Sequence, residues 1–162
     1  MALLRPYTPR KPFVPAKIKH EESLQKQICT YLKLQFPSVI FRSDYASGLH
    51  LTMNQAVIHK SLQSGRSFPD LFLFAPRVHG NKHYCGMALE LKREHTAIYV
   101  TRGPRKGELV ADPHLREQAL MISELNALGY FARFGVGFDN CRRLIDWYLQ
   151  PGYKEPVNAS IF

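Results

Sequence analysis

Two short stretches hold residues whose types and spacing suit metal chemistry: Phe68-Pro69-Asp70-Leu71 and Leu89-Glu90-Leu91-Lys92. Asp70 stands where a polar segment enters an apolar run. Glu90 and Lys92 are two apart, so in a strand both side chains leave one face while Leu89 and Leu91 enter the core from the other. If the strands carrying the two stretches pair, Asp70 and Glu90 converge on one hard cation. Two carboxylates completed by carbonyls and water are a donor set that Mg²⁺ accepts. Lys92 would then hold a nucleophilic water, or neutralise charge developing on a phosphate beside the cation. Singly, Pro-Asp reads as a turn and Glu-x-Lys as a solvated strand face. Together they weigh differently, because Glu and Lys in a run built for burial are costly unless paired or metal-bound.

The elements that must position these residues follow from periodicity. Leu24, Ile28, Tyr31, Leu32 and Gln35 predict a helix from about Glu21 to Phe36, stopped by Pro37. Val39-Ile40-Phe41 reads as a short strand. A helix is expected from about Met53 to Gln63, with Thr52 as N-cap and Ser64-Gly65 at its end. Leu71 to Ala75, between Pro69 and Pro76, is a central strand. Val78 to Lys82 reads as a polar turn, and a second strand runs from about Tyr84 to Lys92. Arg93 to Pro113 has no period and reads as a mobile basic loop with Arg102, Arg105 and Lys106.

Past the loop, Asp112 caps a helix starting at Pro113, with Leu115, Ala119, Ile122, Leu125 and Leu128 on one face and Gly129 at its end. Tyr130 to Phe134 is a strand, Gly135 and Gly137 a turn, and Asp139 or Asn140 caps a last helix through Leu149. The order α-β-α-β-β-α-β-α predicts an α/β sandwich with a mixed sheet. Residues 1–19 read as a flexible basic, Pro-rich arm, residues 20–150 as the folded domain and 151–162 as a tail. The arm suits a phosphate backbone, or is simply a disordered tail.

Length fits one domain, and the 45 % apolar content excludes a disordered chain. The net charge of +9 favours a polyanionic partner, nucleic acid before anionic membrane. No apolar run is long enough for a membrane span, and Arg5-Pro6 ends the apolar start before a signal peptide develops. Cys29, Cys85 and Cys141 are scattered and odd in number, as expected of reduced thiols in a cytoplasmic setting. His79, His83 and Cys85 form a rival zinc pattern, but His-x-x-x-His spans a Gly-Asn turn and lacks a fourth ligand nearby. The remaining histidines, His114 among them, show no pattern. No Ser/His/Asp arrangement, phosphate loop or dinucleotide glycine motif is present.

A wider set of residues carries a resemblance. Glu21-Glu22-Ser23-Leu24-Gln25, Phe41-Arg42, Gly48, Gly65, Pro69-Asp70-Leu71, Gly86, Leu89 to Lys92, Glu117-Gln118 and Leu125 to Gly129 together resemble the VRR-NUC branch of the PD-(D/E)XK nucleases, from about Glu21 to Leu149. The resemblance implies a restriction-endonuclease-like fold. It implies Asp70, Glu90 and the Leu91 carbonyl as metal ligands, Lys92 as the catalytic lysine, and Gln118 bordering the active site. Glu21, three before Leu24 and four before Gln25, matches the family's first-helix glutamate, with Glu22 as the alternative. Many relatives carry a second glycine where this chain has Ser67-Phe68. The compact form is similar to stand-alone phage and bacterial members, which are similar in turn to homodimeric Holliday-junction resolvases.

The expectation is therefore a homodimeric, Mg²⁺- or Mn²⁺-dependent endonuclease acting on branched or flapped DNA. Arg66, Arg93, Arg102, Arg105 and Lys106 would contact phosphates. The alternative is a structure-selective DNA-binding module that keeps the fold and cleaves poorly. An RNA-directed protein is a weaker reading, for want of a run of exposed aromatics.

Overall fold

The apolar repeat from Leu24 becomes helix α1 (Leu24–Gln35), which buries Ile28, Tyr31, Leu32 and Gln35. The computed structural model describes residues 24–44, 52–62 and 67–150. The expected helix start at Glu21, the arm 1–19 and the tail 151–162 lie outside the described residues. Strand β1 is Phe41–Ser43, two residues later than expected. The reason is local: the Val39 N–H turns back to the Phe36 carbonyl at 2.9 Å, which keeps Val39 at the helix end. Helix α2 (Met53–Ser61) starts at a capping box. The Thr52 N–H donates to Gln55 Oε1 at 3.0 Å and the Gln55 N–H to Thr52 Oγ1 at 3.4 Å.

The expected central strand is shorter, β2 (Leu71–Leu73). The polar turn expected over Val78 to Lys82 is instead a hairpin of β3 (Arg77–His79) and β4 (Lys82–Tyr84), folded at Gly80, whose φ is +58°. The strand expected over Tyr84 to Lys92 is therefore split, and only β5 (Met87–Lys92) joins the main sheet. Gly86 lies at the split. A Cβ there would lie 2.7 Å from the Leu73 carbonyl oxygen and 3.1 Å from the Tyr130 ring, so only glycine permits this approach.

Helix α3 (Pro113–Ala127) has Asp112 as its cap, with the Leu115 N–H donating to Oδ1 at 2.9 Å. It leads into β6 (Phe131–Val136) and α4 (Gly137–Leu149). Gly135 belongs to the strand and not to a turn, because it packs against Cys141, whose Sγ would sit 2.5 Å from an added Cβ. Gly137, at φ +68°, makes the reversal alone. Asp139 and Asn140 lie inside the helix and do not cap it, although Asn140 Oδ1 accepts the Val136 N–H at 3.0 Å.

The sheet order is β1-β2-β5-β6, antiparallel except for the parallel β5–β6 pair that α3 connects. This is an α/β sandwich with a mixed sheet. Leu71, Leu73, Met87, Leu89 and Phe131 pack on α1 and α4, with Ile28, Leu32, Phe36, Leu144, Ile145 and Tyr148. Ala88 and Ala132 face α3, with Ile122 and Leu125. Strand alternation then puts Glu90 and Lys92 on the α3 face. β6 is an edge strand, and Asn126 takes the place of a neighbouring strand along it. Its amide donates to the Ala132 carbonyl and accepts the Ala132 N–H, both at 3.0 Å.

Candidate functional site

The site is built from the ends of two adjacent strands. β2 and β5 pair with Leu71 opposite Leu89, so the register continues with Asp70 opposite Glu90 and Pro69 opposite Leu91. The Leu91 N–H points to the β2 side, but its acceptor is the side chain of Asp70, at 2.9 Å from Oδ2. Within a strand the N–H and C=O of one residue point to the same side, so the Leu91 carbonyl also faces Asp70. Pro69, its opposite number, has no N–H to offer it. Asp70 and Glu90, opposite each other on the paired strands, and the Leu91 carbonyl on the β2 side would thus offer oxygen ligands of the kind a hard cation requires.

Asp70 is held from behind. Its carbonyl accepts the Asp44 N–H at 2.8 Å and the Ser43 hydroxyl at 3.2 Å. Gln25, in the first turn of α1, donates to Ser43 Oγ at 2.7 Å and to the Asp44 carbonyl at 2.6 Å. Gln25 therefore ties α1 to the end of β1 and, through it, to Asp70. Sequence reading named Gln25 only as a spacing marker beside Glu21; its polar type on a half-buried helix face was the available signal.

Glu90 is only 4 % exposed. Its Oε1 accepts Lys92 Nζ at 3.1 Å and also Gln118 Nε2. Burial, and secondly the neighbouring Asp70, push the Glu90 carboxyl up to about 7, against the opposing pull of Lys92 and Gln118. A cation between the two carboxylates would remove that repulsion, so the donor set fits a divalent ion. Lys92 Nζ also donates to Gln118 Oε1 at 2.6 Å. Gln118 is 5 % exposed, and its contacts account for its burial. It also lies 3.2 Å, nitrogen to nitrogen, from His114 Nε2. Sequence reading passed over His114; its spacing of four from Gln118 on one helix was the signal.

The structure brings Asp70, Glu90, Leu91, Lys92 and Gln118 together. Glu21, Glu22 and Arg66 lie outside the described residues. Arg93, Arg102, Arg105 and Lys106 are exposed, Arg93 directly after Lys92 and the others in the segment that follows. The segment carrying them forms no helix or strand, as expected of a loop, but is tied to itself by an isolated bridge between Tyr99 and Leu109. Val100 and Gly107 exchange backbone bonds with the far side of the excursion, Val100 N–H to the Glu108 carbonyl and Gly107 N–H to the Val100 carbonyl, both at 2.8 Å. Ile98 anchors the excursion at 5 % exposure. The excursion leaves β5 directly after Lys92, at the end of the sheet where Lys92 pairs with Val136. Between it and β6 and α4 is a cavity of about 550 Å³ lined in part by Lys106, Arg133, Asn140 and Arg143.

The rival zinc pattern is not assembled. His79 stacks on Trp147 at 4.2 Å between ring centroids, and its Nε2 lies 3.1 Å from the Tyr148 carbonyl, so it fastens the β3–β4 hairpin to α4. Among the described residues, no group of three or more His, Cys, Asp or Glu could hold a metal ion. The Asp70–Glu90 pair would therefore complete its ligand set with carbonyl and water oxygens, or with groups outside those residues. Ser67, in the Ser67-Phe68 pair ahead of Pro69-Asp70, has φ +62° and so adopts the left-handed backbone that glycine favours. Its hydroxyl is 3.4 Å from Glu117 Oε2.

No family model and no curated protein matches the chain. Among solved structures it is similar to a VRR_NUC domain protein, with a TM-score of 0.54 and 21 % identity over 83 % of this chain and 93 % of that one. At that identity the likeness is one of fold: the chain has the mixed sheet flanked by helices of a VRR_NUC nuclease-like domain. Among the described residues no helix is long and apolar enough to cross a membrane.

Proposed function

We propose that this chain is a Mg²⁺- or Mn²⁺-dependent endonuclease of the PD-(D/E)XK type that hydrolyses phosphodiester bonds in branched DNA, such as four-way junctions or flaps. The observation that carries this reading is the meeting of Asp70, Glu90 and Lys92 at the ends of two paired strands, with the Asp70 carboxylate on the Leu91 amide. Asp70, Glu90 and the Leu91 carbonyl would hold the ion, with Glu21, or Glu22 in its place, at the active site. When bound, such an ion supplies an acidified water and a Lewis acid for a phosphate oxygen. The Lys92 ammonium, beside the carboxylates, would stand where charge develops on the phosphorane. Gln118 holds the ammonium in place by accepting one of its hydrogens.

The charge of +9 and the exposed Arg93, Arg102, Arg105 and Lys106 support a nucleic-acid partner, with Arg66 counted among the phosphate contacts. The branched substrate and a homodimer rest on the resemblance to VRR-NUC proteins and on symmetry, since two equivalent cuts across a two-fold junction suit a C₂ pair. Free thiols at Cys29, Cys85 and Cys141 fit a reducing, cytoplasmic compartment. The test is cleavage of four-way, flap, splayed and linear DNAs by wild type and Lys92→Ala, with Mg²⁺ and with EDTA. Metal-dependent cleavage of the branched substrates that Lys92→Ala loses supports the reading. Binding without cleavage in Mg²⁺ would make the chain a DNA-binding module instead.

A further inference from the structure

The amide of Gln118 has one acceptor and two donors. Lys92 Nζ carries only donors, so the amide oxygen must face it, as it does at 2.6 Å. That choice turns Nε2 toward Glu90, whose Oε1 accepts one of its hydrogens. Nε2 also lies 3.2 Å from His114 Nε2, the partner for its second hydrogen. His114 stands four residues before Gln118 on α3, so the two side chains rise from one helix face. The amide nitrogen offers only hydrogens, so this bond requires His114 Nε2 as acceptor and the tautomer with its proton on Nδ1.

We propose that His114 is a positioning residue, which holds the Gln118 amide in the orientation that places Lys92. Lys92 and Glu90 alone leave the amide two fixed points. His114 adds a third, on the second amide hydrogen, and so strengthens the preference for the orientation that keeps the amide oxygen on the ammonium. His114 is exposed and Gln118 buried, so the chain of bonds runs from the surface to Glu90 and Lys92. The inference rests on the nuclease reading for its kinetic consequence, but not for the hydrogen bond itself.

Two measurements on the full chain test it. In the metal-free protein, long-range ¹H–¹⁵N correlation of the His114 ring should show the Nδ1–H tautomer. It should return to the Nε2–H form that predominates in free histidine when Gln118 is replaced, in Gln118→Ala. A ring that is mainly Nε2–H in wild type and indifferent to Gln118→Ala overturns the proposal. In single-turnover cleavage at saturating DNA, His114→Ala should slow the step about tenfold, with DNA binding unchanged within about twofold. His114→Gln, whose amide oxygen reaches the place of Nε2, should recover most of the rate. His114→Ala should add nothing in a Gln118→Ala background; independent, multiplicative effects would overturn the coupling. A wild type that cleaves no DNA with Mg²⁺ or Mn²⁺ refutes the nuclease reading, and the tautomer then decides the hydrogen bond alone.

Discussion

Asp70 and Glu90 do different work at close quarters. Asp70 spends one oxygen on the Leu91 N–H, while Glu90 is buried among Lys92 and Gln118. Asp70→Asn keeps the shape and removes a charge, so Mg²⁺ binding measured by calorimetry should weaken sharply, as it should in Glu90→Gln. Unchanged binding in both would remove the metal site. The raised Glu90 carboxyl also makes folding pH-dependent. In the folded, metal-free protein it titrates at about 7, against an ordinary value of 4.5. The folded state therefore binds more protons than the unfolded state between those values. Stability from this group is fully present below about 4.5 and is lost as pH rises to about 7. A shift of that size corresponds to about 3 kcal/mol. Denaturation in EDTA should show wild type losing stability across that window relative to Glu90→Gln. Parallel curves for the two proteins would assign the titration elsewhere. Mg²⁺ should stabilise wild type more at pH 8 than at pH 5, since at low pH it competes with the proton.

Elements divide binding from chemistry. The excursion after β5 carries Arg102, Arg105 and Lys106 on its exposed side, and Arg105 already pairs with Glu108 at 2.7 Å. That pair lies in solvent and contributes little to stability. Replacing all three cations with alanine should leave the fold intact. It should weaken DNA binding for every sequence and lower the salt slope by roughly one unit for each phosphate no longer neutralised. Lys92→Ala should do the reverse, with binding near normal and the chemical step slowed by about two to four orders of magnitude. Binding isotherms and single-turnover rates on one junction DNA separate the two. If the triple variant binds as wild type does, the excursion is a solvated surface; if Lys92→Ala cleaves at full rate, the catalytic assignment fails.

For the whole molecule the open question is assembly. Phe13, Val14, Ile161 and Phe162, apolar residues of the two arms, lie outside the described residues. Within the described part, α2 and the turn after it expose Met53, Val57, Ile58 and Leu62 at 86, 65, 59 and 80 %, more apolar surface than one short helix normally shows to water. We predict a homodimer, to be checked by sedimentation at tens of micromolar. A monomer there would defeat this prediction and leave the nuclease reading standing.

The residue types and their order already determined much. Glu90 and Lys92 had to share a face because strand side chains alternate, and the apolar Leu89 and Leu91 decided which face was core. Asp112-Pro113 located a helix start because cap and N1 chemistry are local. Tertiary packing decided the rest. Gly86 marks a break in a strand because of the Leu73 carbonyl and the Tyr130 ring, both distant in sequence. Gly135 reads as a turn residue until Cys141 of α4 is packed against it. Val39 left the expected strand for a bond to Phe36. The meeting of Asp70 with Leu91, and of Gln118 with Glu90 and Lys92, depends on strand register and on the placement of α3 over the sheet. Pattern along the chain reports which face a residue occupies, but only packing between segments decides which residues those faces bring together.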